Sequence, residues 1–358
     1  MYISVYFFKS RKNKNLKIYQ DGISVIICVR NGENSIKTLI EDLKQQTYNK
    51  MLEFIIVDDE SFDNTSEIIL QEIKNDKRFK YFTTKGYKSD LKFKKRALHK
   101  GIKSSKFEWL LFTDVDCRLQ RNWIKSMSLN FMDCDYVVGF SEIKISNANL
   151  VSRFQSLDFK MLMFAANSSI NLDHPFASSG QNQAFKKTIF QQVGGYSKIK
   201  DLIQGDDSIF LQLCRKLNKI KVKFSTSNES FVIGKTHNKW KDFLIQRIRW
   251  AGDANIMWKF NKLFFIIILS TFVTNLYLLF LFFNIIYSDI SLYVFSIIIS
   301  IKFSLEFMLY LIGSIKFSLK TNFKSFLFWF IIQPFYIVIV GLLSYFTKYF
   351  TWRNRKII

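Results

Sequence analysis

Three pairs of carboxylates carry the chemistry this chain could do. Residues 109–117 (WLLFTDVDC) are an apolar run that stops abruptly at Asp114 and Asp116, one residue apart. Side chains two apart share a face of a strand, so the spacing predicts that both acids converge at the strand's end. Oxygens grouped this way suit a hard divalent cation, Mg2+ or Mn2+, and through it a diphosphate. A polar turn closing a buried strand is the plainer explanation of one such pair taken alone. Asp58 and Asp59 end a second apolar run, residues 54–57. Asp206 and Asp207 follow Gly205 and precede a helical pattern carrying Ile209, Phe210, Leu213 and Leu217. Acids at that place fit helix capping and dipole compensation. They equally fit a general base, which must reach the proton it removes.

Two basic stretches accompany them. Residues 92–99 (KFKKRALH) open a helix between the strand ending at Asp58-Asp59 and the one ending at Asp114, and fit either a solvated basic face or phosphate neutralisation. Residues 240–258 are helical in pattern, with Gln246, Arg249 and Trp250 on one face at i, i+3 and i+4. Arg suits a diphosphate and a Trp face suits a sugar ring. The competing explanation is an interfacial helix with a snorkelling Arg and a Trp anchor.

The elements that must position these groups are legible as alternation. Residues 24–29 (SVIICV) read as a buried parallel strand ending at Arg30-Asn31, followed by a helix with Ile36, Leu39, Ile40 and Leu43 in phase. The strand at 54–57 leads into a helix capped by Asp63 or Asn64, with Glu67 three residues after Asn64 as a capping box requires. The strand ending at Asp114 comes next, and a fourth is expected at 136–140. Strand–helix alternation of this kind argues an α/β domain with a parallel sheet, whose ligands bind beyond the strands' carboxyl ends. The three acidic or polar strand ends then line one edge.

The chain has 358 residues, 52 Lys+Arg against 29 Asp+Glu, and 39 Phe. From Asn261 onward there are nine basic and two acidic residues, so most of the basic surplus lies upstream. Residues 263–287, 291–312 and 325–346 read as three membrane spans, the second carrying Lys302 and Glu306 four residues apart and the third Pro334. A basic chain with such spans reads as seated on an anionic membrane, and no nucleic-acid motif accompanies the charge. Cys28, Cys117, Cys134 and Cys214 form no CxxC pair and read as reduced core residues.

In order along the chain, SVIICVRNGENSI, FIIVDDESFDNTSEII, LLFTDVDC, SSGQNQAF, VGGY, GDD and QRIRW resemble a membrane-bound family 2 glycosyltransferase with a GT-A fold, from about Ile23 to the C-terminus. The resemblance implies a Rossmann-like nucleotide-sugar-binding domain followed by C-terminal transmembrane helices. It implies that Asp58 and Asp59 contact the base and ribose, that Asp114 and Asp116 bind the metal and diphosphate, and that Lys94 sits near the phosphates. Asp207 is implied as catalytic base, with Asp206 in place of the usual Glu. Gln246, Arg249 and Trp250 match the QxxRW of transferases that extend polysaccharides or glycosylate lipids. Phe93 stands where Gly is frequent before the lysine, and His99 where Asn is frequent.

The expected organisation is a basic N-terminal segment at 1–20, a catalytic domain at 21–235, an interfacial helix at 236–260 and a membrane region at 261–358. The expected activity is inverting transfer from a nucleotide-diphosphate sugar to a cell-envelope polysaccharide or glycan, at the inner (plasma) membrane, with the catalytic domain cytoplasmic and lipids as partners. Transfer of one sugar to a lipid acceptor is the nearest alternative; an inactive membrane scaffold and a transporter are the others. Three spans after a cytoplasmic domain leave the basic tail outside, against the positive-inside tendency. Either residues 1–8 end a further helix, or one C-terminal run lies flat.

Overall fold

The computed structural model describes residues 17–356 apart from 144, 146–148, 218, 288, 350, 353 and 354, so the expectation for residues 1–20 falls mostly outside it. The chain divides into two compact units. One comprises the described residues up to 143 together with 169–235; the other comprises those of 145–168 and 236–358.

The first unit is built on a seven-stranded sheet. Its leading half is β1 (Ile23–Val29), α1 (Ile36–Lys44), β2 (Leu52–Asp58), α2 (Thr65–Ile73), β3 (Phe79–Thr83), α3 (Lys94–Ser104) and β4 (Trp109–Asp114). These four strands are parallel in the spatial order β3-β2-β1-β4. β1 is buried throughout and β2 nearly so, as their unbroken apolar runs require of strands covered on both faces. β3 was not anticipated: it is a half-buried edge strand of five residues with two lysine-flanked aromatics, too short and polar to read as core. Asn64 occupies the N-cap of α2 but its side chain caps nothing; Asp63 accepts from the Thr65 N–H instead (3.2 Å). The expected capping box is therefore absent, because Asn64's backbone N–H donates to Glu33 across the loop (3.2 Å).

The trailing half is mixed rather than parallel. After the two-residue β5 (Arg118–Leu119), α4 (Trp123–Ser128), β6 (Tyr136–Gly139) and β7 (Ser141–Ile143) comes β8 (Gln183–Lys186). β8 inserts antiparallel between β4 and β6, and β9 (Val222–Ser225) completes the sheet beside β6. A side sheet joins β5, β7 and β10 (Val232–Gly234). All four cysteines are free and buried, as expected.

The second unit is helical: α5 (Leu150–Asn171, most of whose length belongs here), α8 (Trp240–Ile256), α9 (Lys262–Asn284), α10 (Asp289–Lys316) and α11 (Phe323–Leu343), with α6 (Lys187–Gln192) and α7 (Ser208–Cys214) left to the first unit. Among the described residues three helices are long and apolar enough to cross a membrane, at Lys262–Tyr287, Asp289–Lys316 and Phe323–Phe346. Residues 145–168 thus depart from the sequence-based bounds. Their helix lays Phe154 against Phe243 and Tyr336, and Phe164 against Gly313, where any Cβ would clash. Lys302 and Glu306 pair at 2.7 Å as their spacing predicts, and Gln333 of α11 bonds to both.

Candidate active site

Strand register brings the acids to one edge. Val29 is level with Asp58 and Cys28 with Asp114, so the carboxyl ends of β1, β2 and β4 coincide. The chain order reverses between β1 and β4, which is where ligands bind in open α/β sheets. Gly101 lets α3 approach β1 and β2 closely, since a Cβ there would lie 2.7 Å from Ile26. That approach puts the start of α3, and Lys94, at the same edge.

Lys94 is the hub. Its ammonium lies 2.8 Å from Asp114 and 3.1 Å from Asp206, joining residues more than ninety positions apart. Burial alone would lower its pKa, but the two carboxylates outweigh burial and hold it well above the ordinary lysine value. The next two residues go elsewhere. Lys95, fully buried, donates to the main-chain carbonyls of Leu202 and Gln204. Arg96 pairs with Asp59 at 2.9 Å and with Glu60 at 3.1 Å. Asp58 accepts from the Ser61 N–H and hydroxyl and from Tyr81, which shapes the loop beyond β2. Sequence reasoning singled out Lys94 alone; Lys95 and Arg96 were visible only as members of a basic run.

Asp206 and Asp207 part ways. Asp206 turns to Lys94. Burial works against its charged form, yet Lys94 and Lys95 prevail and keep its carboxyl below the usual range. Asp207 does cap α7, accepting from the Ser208 N–H at 2.5 Å, and its other oxygen accepts from the Gly180 N–H at 3.1 Å. Capping bonds by themselves lower a carboxyl pKa. Here burial, then the Asp206 charge, push it up to about 6, so the cap does not exhaust the chemistry of this group. Gly180 is the other residue the sequence did not single out: a Cβ there would sit 3.1 Å from the Lys94 ammonium and within 4 Å of both Asp206 and Asp207. The SSGQNQAF motif is mainly scaffold. Ser178 exchanges two bonds with Ser208, Gln183 donates to the Asp206 carbonyl, and buried Asn182 ties Phe140 and Ser230 together.

Asp114 and Asp116 do not share a strand face as the spacing predicts. β4 ends at Asp114, and the Cys117 N–H donates to the Asp114 carbonyl, so 114–117 is a turn rather than one strand face. Both acids lie near Cys117, whose thiol is pushed up first by burial and then by them. Among the described residues no three His, Cys, Asp or Glu side chains cluster as a metal cage. Two carboxylates at the mouth of a site, one of them already facing an ammonium, fit a divalent cation that takes its remaining oxygens from phosphate and water.

Gln246, Arg249 and Trp250 lie on α8, in the helical unit. The Gln246 Oε1 is buried without a hydrogen-bond partner among the described residues. The Arg247 guanidinium lies 4.2 Å from the Trp250 ring centroid and forms a buried ion pair with Asp158 of α5 at 2.8 Å. One face of the indole expected to stack on sugar is therefore taken by a neighbouring cation.

Comparison with known proteins adds three findings. Residues 24–194 match the model of glycosyl transferase family 2. The chain is 25% identical over 264 residues to poly-beta-1,6-N-acetyl-D-glucosamine synthase of Staphylococcus aureus (strain MSSA476), covering 70% of this chain and 61% of that protein. The Staphylococcus epidermidis synthase is 24% identical over 239 residues, covering 66% and 55%. The chain thus spans about six-tenths of the length of the curated relatives it matches. Among solved structures, a mannosyltransferase from Pyrobaculum calidifontis, in complex with GDP-Man and Mn2+, superposes with a TM-score of 0.60 at 13% identity over 97% of this chain and 95% of that one. That likeness is one of fold: a mixed α/β GT-A domain with apolar C-terminal helices. The match to glycosyl transferase family 2 thus falls on the very strands that bear the acidic edge.

Proposed function

We propose that the chain is a membrane-bound inverting glycosyltransferase, moving a sugar from a nucleoside-diphosphate donor to a polysaccharide or glycan of the cell envelope. The observation that carries the reading is the Lys94 bridge: one ammonium between Asp114 and Asp206, with Asp207 adjacent and Gly180 bringing no Cβ against them. Asp58 and Asp59 receive the base and ribose. Lys94 meets the diphosphate. A divalent cation, Mg2+ or Mn2+, held by Asp114 and Asp116, neutralises the leaving diphosphate when bound. Asp207 takes the proton of the acceptor hydroxyl as that oxygen attacks the anomeric carbon. The acceptor C–O bond forms while the C–O bond to the diphosphate breaks on the opposite face, so an α-linked donor yields a β-linkage. Gln246, Arg249 and Trp250 of α8 are the residues of the helical unit to which the reading gives a part in transfer. The three apolar helices anchor the enzyme, with the sheet unit on the cytoplasmic side, where the basic surplus favours anionic lipid.

The likeness to a poly-β-1,6-N-acetylglucosamine synthase makes an N-acetylglucosamine donor the first to try. The test is nucleoside-diphosphate release from a donor panel by membranes carrying the full chain with Mn2+, beside an Asp207→Asn control. Release that depends on the donor sugar and vanishes in the control is expected. No release with any donor, or equal release by the control, would sink the reading. Product length then separates chain extension from single-sugar transfer to a lipid.

A further inference from the structure

Basic side chains at a helix N-terminus work against the helix dipole, yet α3 opens with three of them. Lys94 and Arg96 reach carboxylates at the edge of the sheet. Lys95 does not. Its side chain is fully buried, and its ammonium donates to two main-chain carbonyls, those of Leu202 and Gln204 (3.1 Å to the latter). Burying an ammonium is costly unless its donors are met, so this group is committed to that segment. Residues 201–207 form no helix or strand, and they carry both Asp206 and Asp207. On the far side the segment is held by the exchange between Ser178 and Ser208 and by Gly180 on Asp207. On the near side two ties run to α3: Lys94 pairs with the Asp206 side chain at 3.1 Å, and the ammonium of Lys95 holds the main chain at 202 and 204.

We propose that Lys95 is a positioning residue for sugar transfer: its buried ammonium pins residues 202–204 to α3 and so sets where Asp206 and Asp207 stand relative to Asp114. The inference rests on the glycosyl-transfer reading for its catalytic consequence but not for its structural one. The positive charge adds to the effect, since it helps keep Asp206 ionised beside Lys94.

The experiment compares full-length wild type, Lys95→Met and Lys95→Gln in detergent, by amide hydrogen exchange and by steady-state turnover. In Lys95→Met, exchange of amides 202–207 is expected to rise by about tenfold or more, with β1 and β2 unchanged, as a local opening requires. With the donor that supports wild-type turnover, kcat falls by about tenfold or more while donor KM moves by less than about threefold, the split expected when an interaction serves the transition state rather than binding. Lys95→Gln keeps an N–H donor for one carbonyl and falls between the two in both measurements. If Lys95→Met does not fold, Lys95→Gln decides. Unchanged exchange at 202–207, or a Gln variant matching wild type in both measurements, overturns the proposal. Should the wild type turn over no donor, the glycosyl-transfer reading fails while the exchange comparison still tests the tie.

Discussion

In the proposed reaction Asp207 carries the largest chemical burden of any single residue. A carboxyl held near pH 6 by burial and by Asp206 is protonated below that value and ionised above it. A base must be ionised, so kcat/KM should climb with pH through about 6 and level off toward 7.5. A profile flat from pH 5 to 7.5 would remove Asp207 from the role. Asp207→Asn should lower kcat by about 100-fold or more, the scale of lost general-base catalysis, with donor binding by titration little changed. Phe93 is the second telling residue. It begins α3 at φ 55 and ψ −146, a region that suits only glycine. Both Phe93→Gly and Phe93→Ala lose the ring, but only Gly is at ease in that conformation. The Gly variant should therefore be the more stable by about 1 kcal/mol in chemical denaturation; equal stabilities would mean the backbone is not strained there.

Among the elements, the turn at 114–117 and helix α8 make separate predictions. The turn offers two carboxylates and no third acid, so a divalent ion bound there is shared with substrate and exchanges readily. EDTA should abolish transfer, and added Mn2+ should restore it within the assay; activity that survives chelation would contradict the role given to Asp114 and Asp116. Arg247 of α8 and Asp158 of α5 are almost wholly buried as a pair, walled by Phe243, Phe159 and Trp250. Removing one partner strands the other's charge, which costs about 3–5 kcal/mol. Arg247→Met should lower the unfolding midpoint of the detergent-solubilised protein sharply, and adding Asp158→Leu should recover much of the loss. If the double variant is no better than the single one, the aromatic packing of Arg247 matters more than its charge.

At the scale of the molecule, three helices of 24 to 28 residues among the described residues leave broad apolar surface exposed, which bilayer lipid would cover. The protein should stay with membranes through an alkaline carbonate wash and come off only with detergent. Sidedness is testable on sealed vesicles. Protease added to inside-out vesicles should cleave the sheet unit, while right-side-out vesicles protect it. The opposite pattern would put the donor site on the wrong side for a cytoplasmic nucleotide sugar.

The sequence by itself determined the strands β1, β2 and β4, because continuous apolar runs have nowhere to go but a sheet covered on both faces. It determined the acidic ends of β2 and β4, and hence the edge, because parallel strands must align their carboxyl termini. It determined the three apolar spans, because their length and scarcity of charge admit little else. Tertiary structure decided what local pattern is blind to. It made β3 a strand through pairing alone, with Lys80 set against Glu53 at 2.6 Å. It gave α5 to the helical unit, since an amphipathic face does not name its partner. It turned 114–117 out of the strand. It also chose which of three consecutive bases would be buried: Lys95 meets carbonyls 107 and 109 positions away, and a run of like charges gives no local sign of a partner so distant in the chain.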